Sequence, residues 1–362
     1  MKPIRYAVIG SGWRAAFYGR IAQKLPEQFE LCMLLCRTEE KAARLRRELK
    51  VPVSTCEEDV FAAQPDFVVS AVSKGNMTDT VIRWMEYGYP VLSETPAALD
   101  YSQMVHLWEL ICSKDAACRM QTAEQYWLYP SWEARIHILQ SGLLGEPVSV
   151  HLSAMHDYHA ASIIRRLLGT GLDEVRLTGK TFSFPVTDTR TRYEILTEGT
   201  VSQKDERHAI LEYENGKTAF YDFLSDQYRS PIRNPSVIIR GTRGEILNDT
   251  VCWLDEQNLP RREKLQIRRD PVSHEVLSIT FQGQVLYSPV FSVCGLTEDE
   301  TAIARLLLGM KEYIDTGKEI YPMKEALEDA YIGTLMNQLG ADGWSSAASA
   351  PRSWKNTGGI QD

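Results

Sequence analysis

Four consecutive residues, His156, Asp157, Tyr158 and His159, carry side chains that can exchange protons or form hydrogen bonds. An imidazole titrates near neutral pH, so His159 is suited to act as a general acid and base. We predict that Asp157 or His156 orients this ring and that Tyr158 binds a substrate hydroxyl. Two alternatives stay open: Asp157 caps the helix that follows it, and His156 is a hydrogen-bonded histidine of the core.

A glycine-rich turn near the start of the chain has the G-x-G-x-x-G/A spacing of dinucleotide-binding loops. It consists of Gly10, Ser11, Gly12, Trp13, Arg14 and Ala15. The first glycine permits a tight turn, the second lets the backbone approach a pyrophosphate, and the alanine keeps the helix close to the sheet. Free N–H groups at the start of that helix attract phosphates. We expect further cofactor contacts from Cys36, Thr38, Ala71, Val72, Ser73, Lys74, Glu94, Thr95 and Pro96.

Arg37 follows the second predicted strand, where an NAD site usually has an acid that binds the ribose 2′-hydroxyl. A guanidinium at this place can form charge-assisted hydrogen bonds with a 2′-phosphate and stack on adenine. We therefore favour NADP over NAD as the cofactor. The alternative is that Arg37 is solvated and that Glu39 or Glu40 holds the ribose of NAD.

The elements that must position these residues alternate between strand and helix in the first third of the chain. Apolar runs predict strands at 6–9, 30–36, 66–71 and 90–92, and helical periodicity predicts helices at 17–25, 39–49 and 77–87. This β-α-β order predicts a parallel sheet with right-handed crossovers. We assign residues 1–122 to a Rossmann domain of the α/β class.

After residue 122, short β-branched and aromatic runs replace this alternation. They cover 148–153, 178–184, 208–213, 218–223, 236–240 and 276–281, and helical periodicity returns at 298–315 and 323–339. Asn215-Gly216 between two runs indicates a hairpin. We predict an α+β domain over residues 123–340 with a large, mainly antiparallel open sheet. Residues 341–362 are rich in Ser, Ala and Gly and are predicted to form a loose tail.

Composition excludes several classes of protein. The formal net charge of −8 argues against nucleic-acid binding, which needs a basic face. Seven cysteines without C-x-x-C spacing indicate neither a disulfide framework nor a metal site. No apolar run approaches the roughly 18 residues that a membrane span needs, and the start lacks the apolar stretch of a signal peptide. We expect a cytoplasmic protein without a membrane or metal partner.

Five segments in order resemble the glucose–fructose oxidoreductase, inositol dehydrogenase and rhizopine-catabolism (Gfo/Idh/MocA) family. Residues 65–73 and 88–96 resemble its P-D-x-V-x-x-x-T-P and G-K-H-V-x-x-E-K-P segments. Residues 141–150, 159–169 and 239–246 resemble S-G-x-x-G-x-x-x-x-V, H-x-x-x-x-x-R-x-x-x-G and a G-T-x-G turn. The resemblance covers nearly all of the chain up to about residue 340.

This resemblance implies a two-domain NAD(P)-dependent oxidoreductase with its nicotinamide against the open sheet. Hydride would move between the nicotinamide and a secondary hydroxyl or ketone of a sugar, a cyclitol or a related polyol. It also implies a homo-dimer or homo-tetramer formed through the C-terminal sheet, whose second face needs cover.

The chain departs from the family pattern at two positions. Thr95 replaces the lysine of E-K-P, and Met155 replaces the aspartate four residues before His159. The resemblance implies a lysine, an aspartate and a histidine that act together, and of these three only His159 is retained. A threonine supplies no positive charge, and a methionine relays no proton. We consider Lys74 a candidate for the missing ammonium group.

Three residues are candidates for substrate contacts. Tyr126 and Trp127 could stack on the C–H faces of a sugar ring, or could instead anchor the first helix of the second domain. Arg165 could bind a carboxylate or phosphate of the substrate, or support interdomain contacts.

Two other functions compete with the dehydrogenase hypothesis. The loss of the lysine favours a non-catalytic NAD(P)-binding sensor or regulator. The retention of His159 and its polar neighbours favours an enzyme, either the dehydrogenase or one that retains its cofactor and cleaves a glycosidic bond through transient oxidation.

Overall fold

A computed structural model describes residues 2–113, 119–340 and 343–355 of the chain. The first domain contains a six-stranded parallel sheet connected by helices. Its strands are β1 (Ile4–Ile9), β2 (Phe29–Leu35), β3 (Val53–Ser54), β4 (Phe67–Ser70), β5 (Val91–Ser93) and β6 (Met120–Thr122). Its helices are α1 (Trp13–Lys24), α2 (Glu39–Leu49), α3 (Glu57–Ala63), α4 (Met77–Glu86) and α5 (Tyr101–Cys112). The strand order is β3-β2-β1-β4-β5-β6. Successive strands are added on one side of β1 as far as β3 and on its other side from β4 onwards, which creates a switch point between β1 and β4. Ligands bind at such a switch point, beyond the carboxyl ends of the strands.

The turn between β1 and α1 requires a glycine at its first position. Gly10 has a φ of +138°, which side chains other than glycine rarely adopt. A Cβ atom on this residue would lie 2.2 Å from the carbonyl oxygen of Ala71, which follows β4. The backbone of the turn is therefore pressed directly against the end of the neighbouring strand.

The second domain is built on a nine-stranded sheet. Its strands are β7 (Pro147–Ser153), β8 (Val175–Thr187), β9 (Val201–Tyr213), β10 (Thr218–Leu224), β11 (Ser236–Gly241), β12 (Gly244–Leu247), β13 (Thr250–Leu254), β14 (Pro260–Lys264) and β18 (Ser345–Ala348). They follow the order β14-β13-β12-β11-β7-β10-β9-β8-β18, and among the described pairs only β7 and β10 run parallel. A separate small sheet contains β15 (Gln266–Arg269), β16 (Val276–Phe281) and β17 (Gln284–Tyr287). The predicted combination of an α/β domain and a mainly antiparallel α+β domain is confirmed.

Four helices complete the second half of the chain. They are α6 (Pro130–Gln140), α7 (Asp157–Leu168), α8 (Glu298–Thr316) and α9 (Met323–Asn337). The pair α7 and α9 packs on one face of the large sheet, whereas α8 returns to the first domain and packs on α1 and β1. An ion pair between Asp299 of α8 and Arg14 of α1, 2.9 Å between Oδ2 and Nη1, joins the two halves. Among the described helices, none is long and apolar enough to cross a bilayer.

The hairpin of β8 and β9 extends beyond its predicted strands. Each strand has 13 residues, although the pattern predicted only 178–184 and 208–213. The added half of β9 contains Lys204, Asp205 and Glu206, which carry no apolar alternation. Pairing with β8 in continuous register, from Val175↔Tyr213 to Thr187↔Val201, therefore imposes the strand there.

The prediction of a loose tail from residue 341 is wrong over residues 343–355. Strand β18 pairs with β8, and the Arg352 and Trp354 side chains beyond it are fully buried. The Arg352 Nε and Trp354 Nε1 atoms both donate to Glu328 Oε2, at 2.7 and 2.9 Å. The prediction relied on the small residues of this segment and did not consider Arg352 and Trp354, which anchor the segment to α9. The rest of the predicted tail lies outside the described residues.

Candidate active site

A cavity of about 760 Å³ lies at the carboxyl edge of the parallel sheet, next to the switch point between β1 and β4. Most of the predicted cofactor residues meet there although they come from three separate loops. Those that line the cavity are Gly10, Ser11, Gly12, Trp13, Arg14, Cys36, Arg37, Ala71, Val72 and Ser73.

The shape of the loop around this cavity fits a dinucleotide. A Cβ atom on Gly12 would meet no described atom within 4 Å, so the space beside its backbone is free for a ligand. Gly12 directly precedes α1, which has no acidic residue in its first turn and no side-chain cap. The first N–H groups of the helix therefore remain available to a pyrophosphate.

The end of the cavity next to the carboxyl end of β2 carries two cationic side chains, Arg37 and Lys41. The carboxylate of Glu39, the alternative ribose ligand, instead forms an ion pair with Arg46. Thr38 does not line the cavity, because it caps α2 by accepting a hydrogen bond from the backbone N–H of Lys41.

Other predicted cofactor residues support the loop from behind. Ala15 is fully buried in α1. Glu94 accepts a hydrogen bond of 2.6 Å from the Tyr18 hydroxyl and pairs with Arg14. Burial raises the pKa of Glu94 above its ordinary value, although the positive charge of Arg14 opposes this shift. Pro96 is buried directly after Thr95, at the end of the same segment.

His159, the predicted general acid and base, lies in the first turn of α7 and pairs with a residue that the sequence analysis missed. Its Nδ1 atom lies 2.6 Å from Oε2 of Glu124, and both side chains are almost completely buried. Burial raises the pKa of Glu124 to about 8. Burial, aided by the positive charge of Arg14, lowers the pKa of His159 to about 3. At neutral pH the two groups therefore form an uncharged, hydrogen-bonded pair.

The other residues of the His156–His159 run divide between structure and site. Tyr228, which the sequence analysis also missed, bonds through its hydroxyl to both Nδ1 and the backbone N–H of His156. Asp157 Oδ2 accepts a hydrogen bond of 2.6 Å from Asn337. The remaining polar atoms, His156 Nε2 and Asp157 Oδ1, lie 3.7 Å apart and have no hydrogen-bond partner among the described residues although both are buried. Burial lowers the pKa of His156 to about 3, so this ring is neutral.

Tyr158 connects this run to the cofactor domain. Its hydroxyl donates to the carbonyl oxygen of Thr95 at 3.4 Å, and the Lys74 ammonium lies 5.0 Å from the centre of its ring. Lys74 follows β4 and Thr95 follows β5, so two adjacent parallel strands carry these residues to one place. The positive charge of Lys74 reaches far enough to disfavour protonation of both His156 and His159.

Of the three predicted substrate residues, only Tyr126 lies beside His159, with 4.4 Å between the ring centres. Trp127 instead packs against Tyr321 and the Arg166 guanidinium, so the expected platform of two rings does not form. Its indole is held in the interior by residues that are distant in the sequence.

The prediction that Arg165 binds the substrate is wrong. Its guanidinium is 3% exposed and forms ion pairs with Asp329 and Glu325 of α9. It also donates to the Gly171 carbonyl oxygen at 2.8 Å. With its donors used inside the protein, Arg165 holds α7 to α9, a contact within the second domain and not the interdomain contact of the alternative.

Glu124 could have been suspected from its position in the chain. It lies two residues after β6, at the carboxyl end of a parallel strand, where functional side chains collect. Tyr228 had no comparable sign, because a short helical turn, Ser225–Tyr228, positions it after β10.

Comparison with known proteins finds a family match for the first domain alone. Residues 4–122 match the profile of GFO_IDH_MocA, described as an oxidoreductase family with an NAD-binding Rossmann fold. No curated protein matches the chain in sequence.

Solved structures show a similar fold over nearly the whole chain. An Agrobacterium radiobacter oxidoreductase in complex with NAD+, L-tartaric acid and magnesium is 14% identical, with a TM-score of 0.68 over 95% of this chain and 98% of that one. A scyllo-inositol dehydrogenase from Lactobacillus casei is 13% identical, with a TM-score of 0.65 over 95% and 98%. The myo-inositol 2-dehydrogenase from Lactobacillus plantarum is 15% identical, with a TM-score of 0.63 over 93% and 97%.

The two departures from the Gfo/Idh/MocA pattern lie at the centre of this site. Met155 is buried and brings no polar atom to His159, and Thr95 contributes a backbone carbonyl oxygen to Tyr158. The ionisable groups that contact the run from the first domain side are instead Lys74, beside the Tyr158 ring, and Glu124, bonded to His159.

Proposed function

We propose that this protein is an NAD(P)-dependent oxidoreductase that acts on a secondary hydroxyl or ketone of a sugar, a cyclitol or a related polyol. The observation that carries this proposal is the hydrogen-bonded pair of His159 and Glu124, 2.6 Å apart. The neighbouring Tyr158 reaches Thr95 in the loop after β5. A proton-transfer group therefore stands at the sheet edge that also forms the dinucleotide cavity.

The pair can accept and return one proton. When bound, the nicotinamide supplies the hydride acceptor or donor. With Glu124 ionised, its carboxylate accepts the Nδ1–H of His159, and the free Nε2 lone pair can take the proton of a substrate hydroxyl. As Nε2 gains this proton, Nδ1 passes its own to Glu124 Oε2, and the pair ends uncharged. The reverse sequence protonates the oxygen of a ketone while it is reduced.

Three further features near this pair are assigned to substrate binding. The unpartnered His156 Nε2 and Asp157 Oδ1 atoms are a donor and an acceptor that a single hydroxyl group could satisfy together. We assign Lys74 the role of the missing ammonium group, which stabilises negative charge on the reacting oxygen. Tyr126 offers its ring face, beside His159, to the C–H face of a sugar.

We propose NADP as the preferred cofactor. Arg37 and Lys41 both line the cavity, and together they can neutralise a 2′-phosphate. Glu39 is paired with Arg46, which leaves it poorly suited to hold the ribose of NAD.

We further propose that two copies pack through the outer face of the nine-stranded sheet. In β10, Ala219 and Tyr221 are buried against the helices, whereas Phe220 points the other way and is 41% exposed. On this face the ring of Phe220 lies beside His151, with 6.5 Å between centres. A second copy packed symmetrically on this face would remove the Phe220 ring from water.

The test of the main proposal is a cofactor-reduction assay. The purified protein is mixed with NADP or NAD and a panel of sugars, cyclitols and sugar acids, and absorbance of the reduced nicotinamide is followed. Reduction by at least one compound is the expected result. Tight cofactor binding without turnover across the panel would instead support a sensor, and a cofactor that co-purifies without exchange would support the glycoside-cleaving alternative.

A further inference from the structure

Two arginines of the second domain lie across the phosphate-binding turn of the first. Arg192 belongs to the connection between β8 and β9, and Arg229 directly follows the helical turn Ser225–Tyr228. The Arg192 guanidinium carbon lies 3.8 Å from the ring centre of Trp13, the first residue of α1. The second domain therefore touches the first at the residue where α1 begins.

These arginines share a cavity with the turn. A space of about 670 Å³ is lined by Arg192 and Arg229 together with Ser11, Gly12 and Trp13. The last three of these residues also line the dinucleotide cavity. The two cavities are therefore neighbours with the glycine turn between them. Arg192 is exposed and Arg229 is partly exposed, so both guanidinium groups are accessible to a ligand.

Within the described part of the chain, the Arg192 and Arg229 guanidinium groups have no ion-paired carboxylate. Neither forms an ion pair with a carboxylate of the described residues, whereas Lys204 of the same hairpin binds Asp188 at 2.7 Å. The other two arginines of this cavity, Arg20 and Arg44, are paired with glutamates. Burial lowers the pKa of Arg192, and the nearby charge of Arg229 lowers it further. Two like charges that line one cavity repel each other, and an anion bound between them would relieve this repulsion.

We propose that Arg192 and Arg229 form an anion-binding pair that holds a phosphate or carboxylate group at the junction of the two domains. Guanidinium groups bind such oxyanions through two parallel hydrogen bonds. Two sources fit this chemistry: the pyrophosphate of the dinucleotide, and an acidic group on the substrate, which rests on the proposed function. In either case the anion would tie the second domain to the Gly10–Ala15 turn.

A charge-matched pair of double variants tests this proposal. Arg192→Gln with Arg229→Gln removes the pair, and Arg190→Gln with Arg233→Gln removes two nearby charges that do not line the cavity. Calorimetric titration with NADP, NAD+ and inorganic pyrophosphate is followed by titration of the cofactor-saturated protein with inorganic phosphate and gluconate. Thermal unfolding of both variants verifies that they are folded.

The titrations separate the two sources. If the anion is the cofactor pyrophosphate, the affinities for the dinucleotides and for pyrophosphate fall about tenfold or more in the first variant alone. If it belongs to the substrate, these affinities persist and binding of phosphate or gluconate is lost. The proposal is overturned if all these affinities are the same in the parent and both variants. Pyrophosphate and phosphate binding needs no turnover, so a failure of the proposed enzymatic function would be recognised separately.

Discussion

The Nδ1 atom of His159 lies 2.6 Å from Oε2 of Glu124, inside a site where neither side chain is more than 4% exposed. The second carboxyl oxygen of Glu124 accepts the backbone N–H of Tyr126 at 3.2 Å. Oε2 can therefore carry the shared proton and donate it to Nδ1. Burial favours this uncharged arrangement, because an ionised carboxylate or imidazolium would lose hydration.

The pair predicts how stability depends on pH. The pKa of Glu124 in the folded protein is about 8, above its ordinary value of 4.5. Its contribution to the free energy of unfolding is therefore fully present below pH 4.5 and is lost as pH rises from 4.5 through 8. The folded pKa of His159, about 3, lies below its ordinary 6.5, so its contribution is lost as pH falls below 6.5 towards 3. Between pH 4.5 and 6.5 the two effects on the free energy of unfolding oppose each other. Above pH 6.5 only the loss of stability due to Glu124 continues.

We expect Glu124→Gln to lessen the fall in stability above pH 6.5, since glutamine does not ionise. Thermal unfolding of parent and variant from pH 6.5 to 9 measures this, and the difference in Tm should shift in favour of the variant as pH rises. In the parent, the rate of alcohol oxidation should rise as Glu124 ionises near pH 8. The Glu124→Gln variant should lack this rise. Parallel Tm curves for the two proteins would contradict the assignment.

His159→Ala should lower kcat by roughly 10²- to 10⁴-fold, the usual loss when a general acid and base is removed. Cofactor affinity should persist, because His159 does not line the dinucleotide cavity. His106→Ala, which changes an exposed histidine of α5, is the matched control and should retain full activity. Steady-state kinetics with fluorescence titration of NADPH distinguishes the two effects. Equal activity of both variants would exclude His159 from proton transfer.

Arg37→Asp should weaken NADP binding by roughly 10- to 100-fold, the equivalent of losing charge-assisted hydrogen bonds to a 2′-phosphate. The affinity for NAD should change much less, since NAD has no phosphate there. Arg47→Asp, on the exposed side of α2, makes the same charge change away from the cavity. Titrations of both variants with both dinucleotides measure the preference, and an equal loss for NAD and NADP would refute it.

Trp354→Ala should lower the free energy of unfolding by about 3–5 kcal/mol, because it empties a fully buried site. It also removes the donor that Glu328 accepts at 2.9 Å. Trp344→Ala is the control: that side chain is 61% exposed, and its removal should cost about 0.5 kcal/mol or less. Denaturant unfolding of the two variants gives the comparison. Similar midpoints would mean that the segment beyond β18 is not anchored.

Phe220→Asp should reduce the molecular mass measured by sedimentation, because a charge on the outer sheet face would be buried between two subunits. Val285→Asp, at a 64% exposed position of β17, introduces the same charge elsewhere and should leave the mass unchanged. A parent protein that sediments as a monomer would contradict the proposed packing directly.

The sequence by itself determined the first domain and its turn. Strand and helix periodicities are local properties, and the positive φ of Gly10 is a requirement of one backbone position, so neither depends on distant residues. The same reasoning placed His159 at the start of a helix, after a strand that ends at the site. It also placed Arg37 beside the cavity, because the end of a strand next to β1 must lie there.

Only the tertiary structure decided which side chains meet. Glu124 and His159 are 35 residues apart, and they form a pair because β6 and α7 deliver them to one buried point. Arg165 is far in the chain from Asp329, and the ion pair between them holds the Arg165 guanidinium away from the site. The tail was misjudged for the same reason: its small residues predict flexibility, but burial of Trp354 depends on a pocket that α9 provides. Partners and burial are properties of the folded chain, and no local pattern encodes them.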